Sequence, residues 1–106
     1  MTAHPKQYKP VKNKSYLGFV AKQPCIVTGK RNYGGFKLVD VHHLTRLGPM
    51  DRITRNDRYC VPLAFELHNF GEFSVHKMGV TAFEKYHGVD LTAEAERLWH
   101  EWMGNE

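Results

Sequence analysis

The chain reads as a small α+β domain, and three observations carry that reading. A β-branched run, Val39-Asp40-Val41-His42-His43, gives way to an arginine-rich connection and then to a short apolar run, Tyr59-Cys60-Val61. Towards the C-terminus, Leu91, Ala95, Leu98 and Trp102 recur at helical spacing. The first 39 residues hold eight Lys/Arg and no Asp or Glu. The expected architecture is a strand–connection–strand–helix (ββα) unit with further C-terminal helices. A flexible basic arm over residues 1–15 precedes one domain over 16–106.

The size supports a single modest core: 106 residues, 42% hydrophobic and 25% charged. No apolar run approaches the roughly 20 residues of a membrane helix, and the N-terminus lacks the apolar segment of a signal peptide. A cytoplasmic, non-membrane protein is expected. Cys25 and Cys60 form neither a C-x-x-C pair nor a dense framework, so free thiols in a reducing compartment are expected.

In order, residues 1–15 carry Pro5, Pro10 and the lysines Lys6, Lys9, Lys12 and Lys14, with little apolar surface to bury. Tyr16 to Val20 is the first apolar stretch and should pack on the domain. Pro24 to Lys30 reads as a short strand entering a knuckle-like turn. Asn32-Tyr33-Gly34-Gly35 is a turn, because glycine accepts positive φ without strain. Phe36 to His43 follows as a strand, with Leu38, Asp40 and His42 on one face and Val39, Val41 and His43 on the other.

Leu44 to Arg58 is an irregular basic connection with Arg46, Arg52, Arg55 and Arg58. Tyr59 to Val61 is a second strand, ended by Pro62. A helix is expected from Leu63 to Phe70 with Pro62 at its start, broken at Gly71. Further helical pieces are expected over Phe73–Met78 and Val80–Tyr86, stopped by His87-Gly88. Asp90 is a suitable N-cap for a last helix from Leu91 to Met103. His87 and His100 are expected to be structural or solvent-facing.

Charge is segregated: from Asp40 onward seven Lys/Arg face eleven Asp/Glu, a net −4 within a chain of +4. A positive arm and an arginine connection suit a polyanion, with counterion release as the gain. A solvated tail without a partner is the plainer alternative. The adjacent histidines are the most informative pair. Alternation sends them to opposite faces, and imidazole is both the commonest side-chain metal ligand and a proton acceptor near neutral pH. One would hold a cation and the other activate a water; the alternative is a satisfied core histidine beside an exposed one.

At Asp40-Val41-His42-His43-Leu44, Val61-Pro62-Leu63, His68 and Val75-His76-Lys77-Met78-Gly79, the chain resembles the HNH (ββα-metal) endonucleases. Within them it is similar to the phage Ref-type recombination nucleases and their prophage relatives. Phe83-Glu84, His87-Gly88-Val89-Asp90-Leu91 and Leu98-Trp99 extend the likeness over roughly residues 24–99. The resemblance implies a DNA phosphodiesterase with one divalent ion (Mg, Mn or Zn) held by His42, His68 and His76. It makes His43 the general base and offers Asn56 as the residue that orients it, a plain turn Asn being the alternative. DNA contacts would come from Lys6, Lys9, Lys12, Lys14, Arg46, Arg52, Arg55 and Arg58.

Two departures from the family pattern stand out. Many relatives carry a structural zinc on two Cys-x-x-Cys or Cys-x-x-His pairs, and the matching positions here are Cys25, Thr28, Ala64 and Leu67. Three of the four cannot ligate, so no structural zinc is expected and apolar packing should fill the site. Secondly, His68 and His76 would lie about 12 Å apart along a continuous helix. Either the chain breaks at Gly71, or Glu72 replaces one of the two; the break, with His76 as ligand, is the expectation. A nuclease-dead DNA-binding module, a closed structural metal site and an RNA-cutting enzyme are the rival readings.

Overall fold

The computed structural model describes residues 10–47 and 51–104. It is a small α+β structure whose centre is an antiparallel pair, β1 (Val39–His43) and β4 (Cys60–Ala64). Between them lies a short second pair, β2 (Arg46–Leu47) with β3 (Asp51–Arg52), inside the stretch expected to be irregular. Among the described residues four helices accompany the sheet: α1 (Lys14–Ala21), α2 (Val75–Met78), α3 (Val80–His87) and α4 (Leu91–Gly104). A π-helical segment, Glu66–Phe70, follows β4. No helix among the described residues is long and apolar enough to cross a membrane.

β4 departs from the expected strand-then-helix boundary at Pro62. It runs on to Ala64 because every one of its residues is buried, Leu63 and Ala64 completely. Pairing with Val39 and Asp40 therefore outweighs local helix preference. Pro62 is harmless there. The bonds Leu44 N–H to Tyr59 O (2.9 Å) and Phe65 N–H to Leu38 O (3.2 Å) set the alternation of the ladder. Val41↔Pro62 then falls on a non-hydrogen-bonded pair, so the donor that proline lacks would have pointed away from β1. Pro24 to Lys30 forms hydrogen-bonded turns rather than a strand, closed by Gly29 N–H to Cys25 O at 2.9 Å.

Two apolar clusters enclose the sheet. The larger includes Val39, Val61, Leu63, Leu67, Phe83 and Leu91. The smaller joins Tyr16 and Val20 of α1 to Cys60, with Trp99 and Trp102 of α4 packed against it. Tyr16 meets Trp99 edge-on at 4.8 Å between ring centroids, a favourable quadrupole arrangement.

The described structure begins before residue 16, inside the stretch assigned to the basic arm. Asn13 caps α1 by accepting from Tyr16 N–H at 2.9 Å, so the helix begins inside the stretch assigned to the arm. Val11 N–H reaches Asn56 Oδ1 (3.2 Å), Asp57 N–H reaches Val11 O (2.9 Å) and Asn13 N–H reaches Asp57 Oδ2 (2.8 Å). Residues 10–15 are thus docked on the domain. Lys6 and Lys9 lie outside the described residues.

The C-terminal half follows its caps. Ser74 caps α2, Gly88 ends α3 with φ +69°, and Asp90 Oδ1 accepts from Ala93 N–H at 3.0 Å in the first turn of α4. Glu84 adds a second acceptor there, taking Leu91 N–H at 2.7 Å.

Candidate metal centre

Three elements deliver three imidazoles to one place. β1 supplies His42, the π segment His68 and α2 His76. Their ring centroids lie 5.0, 5.5 and 4.8 Å apart, and one nitrogen from each falls within 4.8 Å of the other two. The chain folds back between His68 and His76 at Gly71. There Gly71 N–H bonds Glu66 O at 3.0 Å, closing the π turn, and a Cβ on Gly71 would sit 2.8 Å from that oxygen. Glycine is required by this close approach, not by its φ of −80°. Gly79, with φ +86° and ψ 157°, makes the next corner, in a region reserved for glycine. Glu72 is exposed and is not part of the donor set.

The donor set fits a cation. His42 Nε2 is buried and has no hydrogen-bond partner among the described residues, an orphan that a bound ion would satisfy. Burial foremost, with the neighbouring His68, His76 and His43, pushes the His42 pKa down to about 3 and keeps its ring neutral, the form that ligates. His68 Nδ1 lies 3.0 Å from Asp40 Oδ2, nearer than the Asn69 amide at 3.4 Å. The carboxylate fixes the tautomer with Nδ1–H donated outward, which frees Nε2 as the ligand atom. Around a tetrahedral ion with bonds of about 2.0–2.1 Å, ligand atoms sit roughly 3.3 Å apart, so the rings need only close inward. Three donors, counted among the described residues, would leave at least one coordination position for water or substrate.

His43 occupies the other face of β1, as alternation requires. Its Nε2 lies 2.8 Å from Asp57 Oδ1. Burial alone would raise the Asp57 carboxyl. The Asn13 backbone N–H, the His43 ring and Arg55 outweigh it and hold the group below its ordinary 3.8. An ionised Asp57 accepts from Nε2–H and leaves Nδ1 of His43 with the free lone pair. His43, Asp40 and His68 all line one open cleft of about 600 Å³ between α1 and the π segment.

Among the described residues no hydrogen bond joins Asn56 to His43. The buried Asn56 Oδ1 is used by Val11 N–H and by Arg58 N–H (3.0 Å), so it organises the loop and the docked N-terminal segment. The neighbouring Asp57 orients the ring instead. Asp57 and Asp40 are the site residues that sequence reasoning missed. Asp40 carried a signal, since it shares a strand face with His42 two residues on.

The basic residues divide. Arg52 and Arg55 are exposed, as are Lys12 and Lys14, which with Arg55 line a groove sharing Leu17 and Arg55 with the cleft. Arg46 is half-buried in β2 and engaged. Arg58 is turned inward: it donates to the Tyr59 hydroxyl (2.6 Å), pairs with Glu96 (3.0 Å) and lies over the Trp99 ring at 5.5 Å. Its guanidinium is thus engaged within the fold, with the side chain only partly exposed.

The four positions matching a zinc knuckle look quite different from the histidines. Cys25, Ala64 and Leu67 belong to the larger apolar cluster, while Thr28 is exposed. Cys25 Sγ accepts the N–H groups of Val27 (3.5 Å) and Thr28 (3.4 Å). Both thiols are free, and burial pushes Cys60 up to about 12.

The chain belongs to DUF968, a family of proteins of unknown function, whose model matches residues 1–101. No curated protein and no solved structure matches it.

Proposed function

We propose that this protein is a metal-dependent endonuclease of the HNH type, hydrolysing DNA phosphodiester bonds. The observation that carries the reading is the pairing, on adjacent residues of one strand, of a metal-type donor with a carboxylate-held imidazole. His42 faces His68 and His76, and His43 faces Asp57. The β1–β4 pair followed by the π segment and α2 supports a ββα-metal core in that role.

In this reading His42, His68 and His76 hold one divalent ion, which supplies Lewis acidity for the charge developing on the phosphate and the leaving 3′-oxygen. His43 Nδ1 takes the proton of the attacking water. Asp57, bonded to Nε2–H, holds the ring in that tautomer and stabilises the imidazolium that forms. Asp40 steadies His68 from behind. Arg55 and Lys37, on the cleft wall, attract the phosphodiester backbone.

The test is cleavage of plasmid and single-stranded DNA by the pure protein with Mg²⁺, Mn²⁺, Zn²⁺ or EDTA. Activity with an ion, lost in EDTA and in His43→Ala, is expected. A protein that binds metal and DNA but never cuts, under any of these ions, would replace the nuclease with a binding module.

A further inference from the structure

A second feature lies outside the histidine site. The hairpin Tyr33-Gly34-Gly35-Phe36 is closed by Tyr33 N–H to Phe36 O (3.1 Å) and Phe36 N–H to Tyr33 O (2.8 Å), with Gly34 at φ +55°. Its two rings lie 5.7 Å apart, and Tyr33 and Phe36 are 63% and 66% exposed. Large apolar side chains left in water lose the stabilisation that burial would give, and here a pair of them is presented beside cationic side chains.

The hairpin is held rather than loose. Asn32 at its base accepts from Leu38 N–H (2.6 Å) and Val39 N–H (2.8 Å) and donates to Ala21 O (3.1 Å) and Val39 O (3.2 Å). One amide thereby ties the hairpin to both α1 and β1. The flanks are cationic and acid-free in sequence from Thr28 to Val39. Arg31 is exposed with no ionic partner among the described residues. Lys37 is also exposed, only 3.8 Å from Asp40, and lines the cleft that holds His43 and His68.

We propose that Tyr33 and Phe36 form a stacking platform for an unpaired nucleobase, with Arg31 and Lys37 contacting the flanking phosphates. Rings and cations in this combination match single-stranded nucleic acid, because every base has a π-face and every linkage a charge. A paired base inside a duplex presents no free face. The platform therefore selects strands with unpaired segments, and its position beside Lys37 delivers such a strand to the cleft. This deepens the nuclease reading and rests on it for what happens after binding, but the binding itself needs no metal.

The experiment uses the full chain in EDTA and fluorescence anisotropy with three labelled probes: an oligo-dT strand, the same strand with abasic sites, and a blunt duplex. The parent should prefer oligo-dT to the other two. Tyr33→Ala/Phe36→Ala should lose on the order of tenfold or more for oligo-dT, with the duplex nearly unchanged. Tyr33→Phe/Phe36→Tyr, which keeps both rings, should bind like the parent. Equal binding of normal and abasic strands by the parent overturns the proposal, as does an alanine variant that binds oligo-dT normally or a parent that binds none. Plasmid cleavage with metal separates the two readings. Cleavage kept without a stacking effect sinks only the platform, and a stacking effect without cleavage sinks only the nuclease.

Discussion

Two regions beside the β1–β4 pair, both drawing on the π segment, are solved in opposite ways. In one, β1, the π segment and α2 turn His42, His68 and His76 towards one another and leave His42 Nε2 buried with no hydrogen-bond partner among the described residues. In the other, Cys25, Ala64 and Leu67 close an apolar cluster, and the cysteine sulfur is met by two backbone N–H groups. The first leaves a ring nitrogen unsatisfied among the described residues; in the second the sulfur is satisfied by backbone donors. Buried polar groups cost stability, so under the proposed function the contrast separates a part that would serve chemistry from a part that holds the fold.

The sharpest break of that contrast is within the histidine pair. His43→Ala should lose about 10²–10⁴-fold in turnover while keeping metal affinity, the usual scale for removing a general base. His42→Ala should lose metal and turnover together. Calorimetry with Mn²⁺ or Zn²⁺ beside a cleavage assay reads both. A His43 variant as active as the parent would remove this residue from the mechanism.

The apolar region should answer to stability alone. Leu67→Ala, at a site 7% exposed, is expected to destabilise by about 2–4 kcal/mol in denaturant unfolding. Replacing Cys25 and Cys60 together with serine should leave the fold intact, and elemental analysis should find at most about one transition metal per chain. Two tightly held zinc ions per chain would abolish the distinction between the regions.

Asp57 gives an intermediate effect with a pH signature. Its folded-state pKa lies below the ordinary 3.8, so its ionised form adds stability above that value and the contribution fades as pH falls through the depressed one. Asp57→Asn should therefore be less stable than the parent at neutral pH, with the gap closing below about pH 4 in urea melts. It should also slow turnover without weakening metal binding, as expected of a residue acting through His43. A gap that widens in acid would contradict the assigned ionisation.

The smallest effect belongs to Gly18. It sits in the middle of α1, lines the cleft, and has open space where a Cβ would stand. Gly18→Ala should stabilise the fold through helix propensity, by up to about 1 kcal/mol in denaturant unfolding. A bulky Gly18→Phe should instead obstruct the cleft, slowing cleavage with the metal site untouched.

Much of this was legible in the chain itself. Period-2 alternation put His42 and His43 on opposite faces of one strand, and glycine at 71 announced the break that lets His68 and His76 meet. Asp90 and Gly88 marked helix ends by local chemistry alone. What alternation and capping cannot encode is who lies opposite. β4 runs through Pro62 because its ladder partner and two apolar clusters are contributed by distant residues. Asp57 rather than Asn56 reaches His43, and Arg58 turns inward to Glu96 and Trp99, because the loop is pinned by Val11 and Asn13 some 44 residues earlier in the chain. Local periodicity and steric preference act within a few residues and can be read in order. The choice among neighbouring polar side chains depends on which distant donors and acceptors fold against them, and only the tertiary structure decides that.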